Sequence, residues 1–236
     1  MTRLSQIQRF YQVMDTLRDC CGGYRYLRDC SGKLAWPARG VYFFFEPGES
    51  RTDSGGGDRV VRVGTHAVSP GSRTKLWHRL SQHRGTESGG GNHRGSVFRQ
   101  IVGMALGATD GDLALATWGQ GQSAPRSTRE AEGEVEAAVS RRIGEMPFLW
   151  IGIDDEASKH SDRDYIEKNT IGLLSNAAAP EGMQIDPPSS DWLGNRCPRV
   201  EMRLSGLWNS KHVYRPYEPE FLDRLADYAG ADKQAG

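Results

Sequence analysis

The chain has no net charge. Its 236 residues carry 30 Lys and Arg against 30 Asp and Glu, so no global field draws it to a polyanion. It has little cysteine: Cys20, Cys21, Cys30 and Cys197 contain no C-x-x-C pair. Adjacent Cys20 and Cys21 cannot easily ligate one ion together, so the pattern is not that of zinc, and four reduced thiols in a cytoplasmic protein are expected. No apolar run approaches the ~18 residues that a membrane-spanning helix needs. Met1 to Arg9 has no signal-peptide core, so neither a membrane partner nor export is expected. The apolar fraction is only 37%, while glycine reaches 29 residues, part of it in loops, so the packed core is smaller than the length suggests. The length fits one large domain, or a small one with extensions.

Charge is uneven locally. From Ser72 to Arg99 the cations are Arg73, Lys75, Arg79, Arg84, Arg94 and Arg99, with His78, His83 and His93, against the single acid Glu87. From Glu130 to Glu136 the acids stand without a cation. A basic face on a neutral protein suits local binding of a polyanion.

Two β-branched and aromatic runs, Gly40 to Phe45 and Arg59 to Gly64, read as strands joined by a polar glycine-rich loop, a long-looped hairpin. Before them, Leu4, Ile7, Phe10, Tyr11, Met14 and Leu17 recur at helical spacing over 4–19, and Tyr24 to Pro37 is an irregular lead-in. After them, Ser72 to Arg84 reads as a helix with an apolar stripe and with Arg79 and His83 on one face, and residues 85–95 as a flexible basic loop. Ser96 caps a helix to Leu106, and Asp110 to Arg126 is a surface excursion. A capping box at Ser127 starts a helix to Ile143, and Phe148 to Ile153 is a strand. Ser161 caps a helix from Asp162 to Ser175, followed by a proline-containing connector, a strand at Val200 to Leu204, a last helix after Pro219, and a frayed tail at 232–236. Residues 1–38 are read as a lead-in, 39–180 as the core and 181–236 as an extension packed on it.

Several features in this order are similar to the GIY-YIG nuclease superfamily. Gly40-Val41-Tyr42 resembles its first tripeptide. Arg62-Val63-Gly64 resembles the second, with arginine in place of tyrosine. Arg79 followed four residues later by His83 resembles its helix motif, in the histidine form closer to restriction-type members. Tyr165-Ile166-Glu167 resembles the helix with its metal-binding glutamate, and Asn176 stands at its closing asparagine. The resemblance spans Arg39 to Asn176. It implies an α+β fold, a three-stranded antiparallel sheet flanked by helices, and one-metal cleavage of double-stranded DNA with Mg²⁺ or Mn²⁺.

On that resemblance Glu167 holds the metal, and Arg79 binds the scissile phosphate with its planar fork. His83 or Tyr42 is the general base; a phenol needs a cation beside it for that role, and Arg62 is the candidate. Asn176 ties the helix end to the hairpin. Arg73, Lys75, Arg84, His93 and Arg94 are candidate DNA contacts. Each has an ordinary alternative: Glu167 in an ion pair with Arg163, Arg79 solvated, His83 satisfying helix-end carbonyls, Tyr42 filling the core. Asp154-Asp155 reads as a turn, because adjacent carboxylates at a strand end diverge. The competing reading of the chain is a catalytically silent module that binds nucleic acid or protein. Dimerisation is open.

Overall fold

The computed structural model describes residues 1–231. Its centre is an antiparallel sheet of four strands, β1 (Arg25–Tyr26), β2 (Gly40–Ser50), β3 (Asp58–Gly64) and β4 (Pro147–Gly152), in the order β1-β4-β2-β3. The expected count was three. The addition is the two-residue β1, which pairs with Phe148 and Pro147 inside the stretch expected to be irregular. Eight α-helices surround the sheet among the described residues: α1 (Arg3–Cys20), α2 (Leu76–Arg84), α3 (Val97–Thr109), α4 (Arg126–Ala131), α5 (Gly133–Gly144), α6 (Asp162–Leu174), α7 (Val200–Ser205) and α8 (Phe221–Ala231).

Antiparallel sheets often leave one face to water. Here helices cover both, which is why Val41 to Phe45 is an unbroken apolar run. Val41, Phe43 and Phe45 pack into one core with α1, α6 and α8. Tyr42 and Phe44 pack into the other with α2, α3 and α5. The period of two along the strand sends alternate side chains to the two layers.

A bulge interrupts β3. Phe44 faces Arg62 but Phe45 faces Val60, so Val61 is the extra residue. A bulge re-aims the side chains beside it. Val61 joins the α2–α3 core, and Arg62 faces the same layer, its guanidinium 4.6 Å from the Phe98 ring centroid.

β3 is a sheet edge. The chain's carboxy-terminal part covers it: Trp208 N–H donates to Val61 O at 2.7 Å, and the Asn209 amide exchanges two bonds with the Val63 backbone, at 3.1 and 2.8 Å. The indoles of Trp192 and Trp208 both donate to the buried Glu46 carboxylate, at 2.8 and 2.9 Å.

Three local expectations need correction. Val200 to Leu204 is helical, not a strand: Glu201, Met202, Arg203 and Leu204 are straight-chain or leucine helix formers, and Gly206 at φ 72° ends the turn. The helix expected from Ser127 to Ile143 is two helices. α4 starts one residue earlier behind Pro125, without the capping box, and breaks at Glu132, where Arg94 holds the carboxylate with both terminal nitrogens, at 2.6 and 2.9 Å. Within the excursion after Asp110, Trp118 is buried against Gly103. The tail expected at 232–236 lies outside the described residues.

Gly64 faces Tyr42 across the hairpin, and a Cβ there would sit 2.4 Å from the phenol oxygen. The glycine of the second tripeptide therefore makes room for the tyrosine of the first. Gly64→Ala is expected to lose about 1–3 kcal/mol, as overpacking of a rigid site does, read as a lowered denaturant midpoint at unchanged slope.

Candidate active site

The two helices that carry the candidate charges lie on opposite faces of the sheet. They meet only beyond the end of β3. There a cleft of about 700 Å³ opens, with Arg62, Thr65, His66 and Arg79 on its wall and Glu167 of α6 across from them. Six cations, Arg62, Arg79, Lys159, Lys168, Lys211 and Arg215, line it against two carboxylates, Asp164 and Glu167. Walls of one charge sign focus the field and raise the local concentration of a polyanion.

Glu167 is fixed by the strand end. The Thr65 N–H donates to its Oε1 at 3.1 Å, and the Thr65 hydroxyl donates to Gly40 O at 2.8 Å. Glu167 makes no ion pair with Arg163, which instead grips Asp155 and the carbonyl of His66. The carboxylate is half-buried, and its Oε2 accepts no hydrogen bond among the described residues. Burial pushes its pKa up to about 7; Arg62 and the Thr65 N–H oppose that rise.

Tyr42 and His83 are fully buried and do not line the cleft. They sit behind its arginines, joined by a 2.8 Å bond from the phenol oxygen to His83 Nε2. His83 Nδ1 meets Ser96 Oγ at 2.7 Å, and Ser96 also caps α3 by accepting from Arg99 N–H at 3.2 Å. Burial, then Arg79, Arg62 and Arg99, hold the imidazole well below its ordinary value, so it is neutral near pH 7. Either tautomer leaves a proton between Tyr42 and His83. Arg62, in the place of a second tyrosine, interacts electrostatically with both Tyr42 and Glu167 and donates to Trp208 O. Arg79 is held loosely, by Gln82 Oε1 at 3.0 Å and Gly95 O at 3.1 Å.

The remaining candidates lie elsewhere. Asn176 is not in the cleft. It is buried, accepts from Arg3 and exchanges two bonds with the Ile185 backbone, so it braces the connector after α6. His93 is buried, stacked 3.9 Å from Trp118 and bonded to Glu136. Arg94 is spent on Glu132. Neither is placed to touch DNA, because both serve the ion-pair network beneath the glycine loop. That loop is drawn in close over Arg99: a Cβ on Gly91 would lie 2.0 Å from the guanidinium. Arg84 donates to Cys30 O at 2.8 Å, on another face. Arg73 and Lys75 are exposed on either side of Thr74, which lines the cleft.

Sequence reasoning missed Ser96, Thr65, His66 and the basic far wall of Lys168, Lys211 and Arg215. It also read Asn209 only as part of the extension. No short pattern marks these residues; they are assembled by the edge cover and by α6. Among the described residues, two of the three non-glycine residues at positive φ, Ala67 (53°) and His212 (65°), line the cleft. Such strain concentrates at functional sites.

A helix arginine and a helix carboxylate meet at the end of a sheet covered on both faces, with the hairpin tyrosine buried behind them. The chain belongs to the GIY-YIG domain family, whose model matches residues 1–234. The match therefore includes the segments on both sides of the hairpin core. No curated protein and no solved structure matches the chain. No helix among the described residues is long and apolar enough to cross a membrane.

The raised pKa of Glu167 has a sign in stability. The folded carboxyl keeps its proton up to about 7 and the unfolded one to about 4.5, so the native state loses stability as pH rises through that window. Glu167→Gln removes this loss. Its melting temperature relative to the wild type is expected to be higher at pH 8 than at pH 4, in metal-free buffer.

Proposed function

We propose that the protein is a divalent-metal-dependent endonuclease that hydrolyses phosphodiester bonds of double-stranded DNA by a one-metal route, of restriction or defence type and acting in the cytoplasm. The observation that carries this reading is the meeting of Glu167 with Arg62 and Arg79, delivered from opposite faces of the sheet into one cationic cleft.

The donor set fits the metal. Among the described residues no group of three His, Cys, Asp or Glu side chains could hold an ion. One carboxylate with a solvent-facing oxygen suits a hard ion that keeps much of its water shell, such as Mg²⁺ or Mn²⁺. Glu167 would hold it, and the ion would neutralise charge on the phosphate and the leaving oxygen. Arg79, tethered only by two exposed bonds, is free to turn its fork to the scissile phosphate. Arg62 supplies a second positive charge beside it. The neutral His83 can accept a hydrogen bond from the Tyr42 phenol while Ser96 holds the ring in place, which fixes the phenol oxygen behind the cleft arginines. The far wall of Lys168, Lys211 and Arg215 offers neighbouring phosphates a path. Arg73 and Lys75 extend it past the mouth.

A silent binding module is the second reading. The full burial of Tyr42 and His83, with arginine in place of the second tyrosine, favours it. Incubation with supercoiled plasmid separates the two. Nicking in Mg²⁺ or Mn²⁺ is expected, reduced at least ~100-fold by Arg79→Ala, in line with loss of one charge-stabilising group, and abolished by Glu167→Ala. Equal nicking by all three proteins, or binding without cleavage in any metal, overturns the endonuclease reading.

DNA binding is expected to weaken steeply with salt. Measured by anisotropy, log affinity falls linearly with log salt, by roughly one unit of slope for each phosphate neutralised. Lys211→Ala and Arg215→Ala together are expected to flatten that slope.

A further inference from the structure

His66, like Lys159, Asp164 and His212, is a cleft residue that the preceding mechanism leaves unused. Its side chain lines the cleft, the residue is 6% exposed, and neither ring nitrogen has a hydrogen-bond partner. The Ala38 carbonyl lies close enough to act on the ring as a weak backbone acceptor, short of full hydrogen-bond geometry with either nitrogen, and Arg163, Arg79 and Arg39 act on it electrostatically. A buried polar group without a partner costs free energy, and its retention calls for an explanation such as an ion or ligand.

The backbone around His66 is held to α6 at two places. The Thr65 N–H is on Glu167 Oε1, at 3.1 Å, and the His66 carbonyl accepts from Arg163 Nη1. Arg163 and Glu167 stand one helical turn apart, about 6 Å along the axis. His66 therefore lies along the turn of α6 that presents the carboxylate. Arg79 lines the same cleft as His66 and Glu167 and acts electrostatically on both. The bond from Arg163 fixes the backbone of His66, and Ala67 follows at φ 53°. The ring is thus held in its place by neighbours that do not use its nitrogens.

We propose that His66 is a second protein ligand, through an imidazole nitrogen, for the divalent cation held by Glu167. This deepens the endonuclease reading and rests on it. A carboxylate alone suits Mg²⁺; an added imidazole shifts preference toward Mn²⁺, Co²⁺ or Ni²⁺. The site would then bind Mn²⁺ more tightly than Mg²⁺.

The test uses Mn²⁺ alone, with the full chain and no nucleic acid. Affinity is read by the free-ion electron paramagnetic resonance signal, and ligation by electron spin-echo modulation from ¹⁴N. The wild type is expected to bind Mn²⁺ with a nitrogen coupling. In His66→Ala that coupling is expected to vanish and affinity to fall at least about tenfold, the range seen when a group supporting a metal site is removed. Glu167→Gln is expected to lose binding. The nitrogen coupling in the wild type needs no variant, so misfolding of His66→Ala does not blunt the test. Mn²⁺ bound through Glu167 without nitrogen coupling, or coupling that persists in a folded His66→Ala, overturns the role of His66 and leaves the endonuclease reading standing. No Mn²⁺ binding in the wild type overturns both.

Discussion

One hydrogen bond organises the cleft. Thr65 is the first residue past β3, so its N–H has left the sheet ladder, and it goes to Glu167. The Thr65 hydroxyl reaches back to Gly40 at the start of β2. A single residue thus joins both ends of the hairpin to α6. Without that junction the carboxylate would belong to one helical layer and the arginines to the other, with the sheet between them. Arg62, paired with Phe44 in the regular register that precedes the bulge, faces the layer that holds Tyr42.

The cleft is basic although the chain is neutral because charge is placed unevenly: six cations and only two carboxylates line it, while several acids are paired with arginines elsewhere. Glu49 binds Arg59, Glu132 binds Arg94, Glu136 binds Arg99, Glu46 binds Arg142 and Asp155 binds Arg163. Each pair cancels its own charge at partly or wholly buried positions. Such pairs add little net stability against an apolar equivalent, but breaking one leaves an uncompensated charge. The glycine loop that looks like a basic arm in the sequence is the cover over one of these pairs, which is why His93 and Arg94 point inward.

The hairpin, α1, α2, α3 and α6 were legible in the sequence because their apolar periods are strong and their caps are local. Ser96 and Ser161 accept from the N–H groups of Arg99 and Asp164, as the sequence implies. β1 was not legible, since two residues carry no period. α7 was misread because Val200 and Leu204 suggest a strand, while the left-handed Gly206 and the burial of Met202 decide for a helix. In the site, Arg62, Arg79 and Glu167 were found through the family resemblance of their motifs, and the structure brings them to one cleft. Asn176 could not be placed, because its use is set by the connector that folds back on it. His66 carried no signal at all. Its interest lies in bonds it does not make, and these appear only in three dimensions.

The stretch from Gly206 to Asn209 occupies the position where a fifth strand would lie. A second chain therefore cannot extend the sheet at β3, and any pairing of two copies there would have to go through helices. The same stretch also seats Asn209 on the cleft wall. Shortening the molecule at its carboxy end would strip the wall and uncover raw backbone in one cut, so loss of the cleft and a tendency to form insoluble stacks would arrive together.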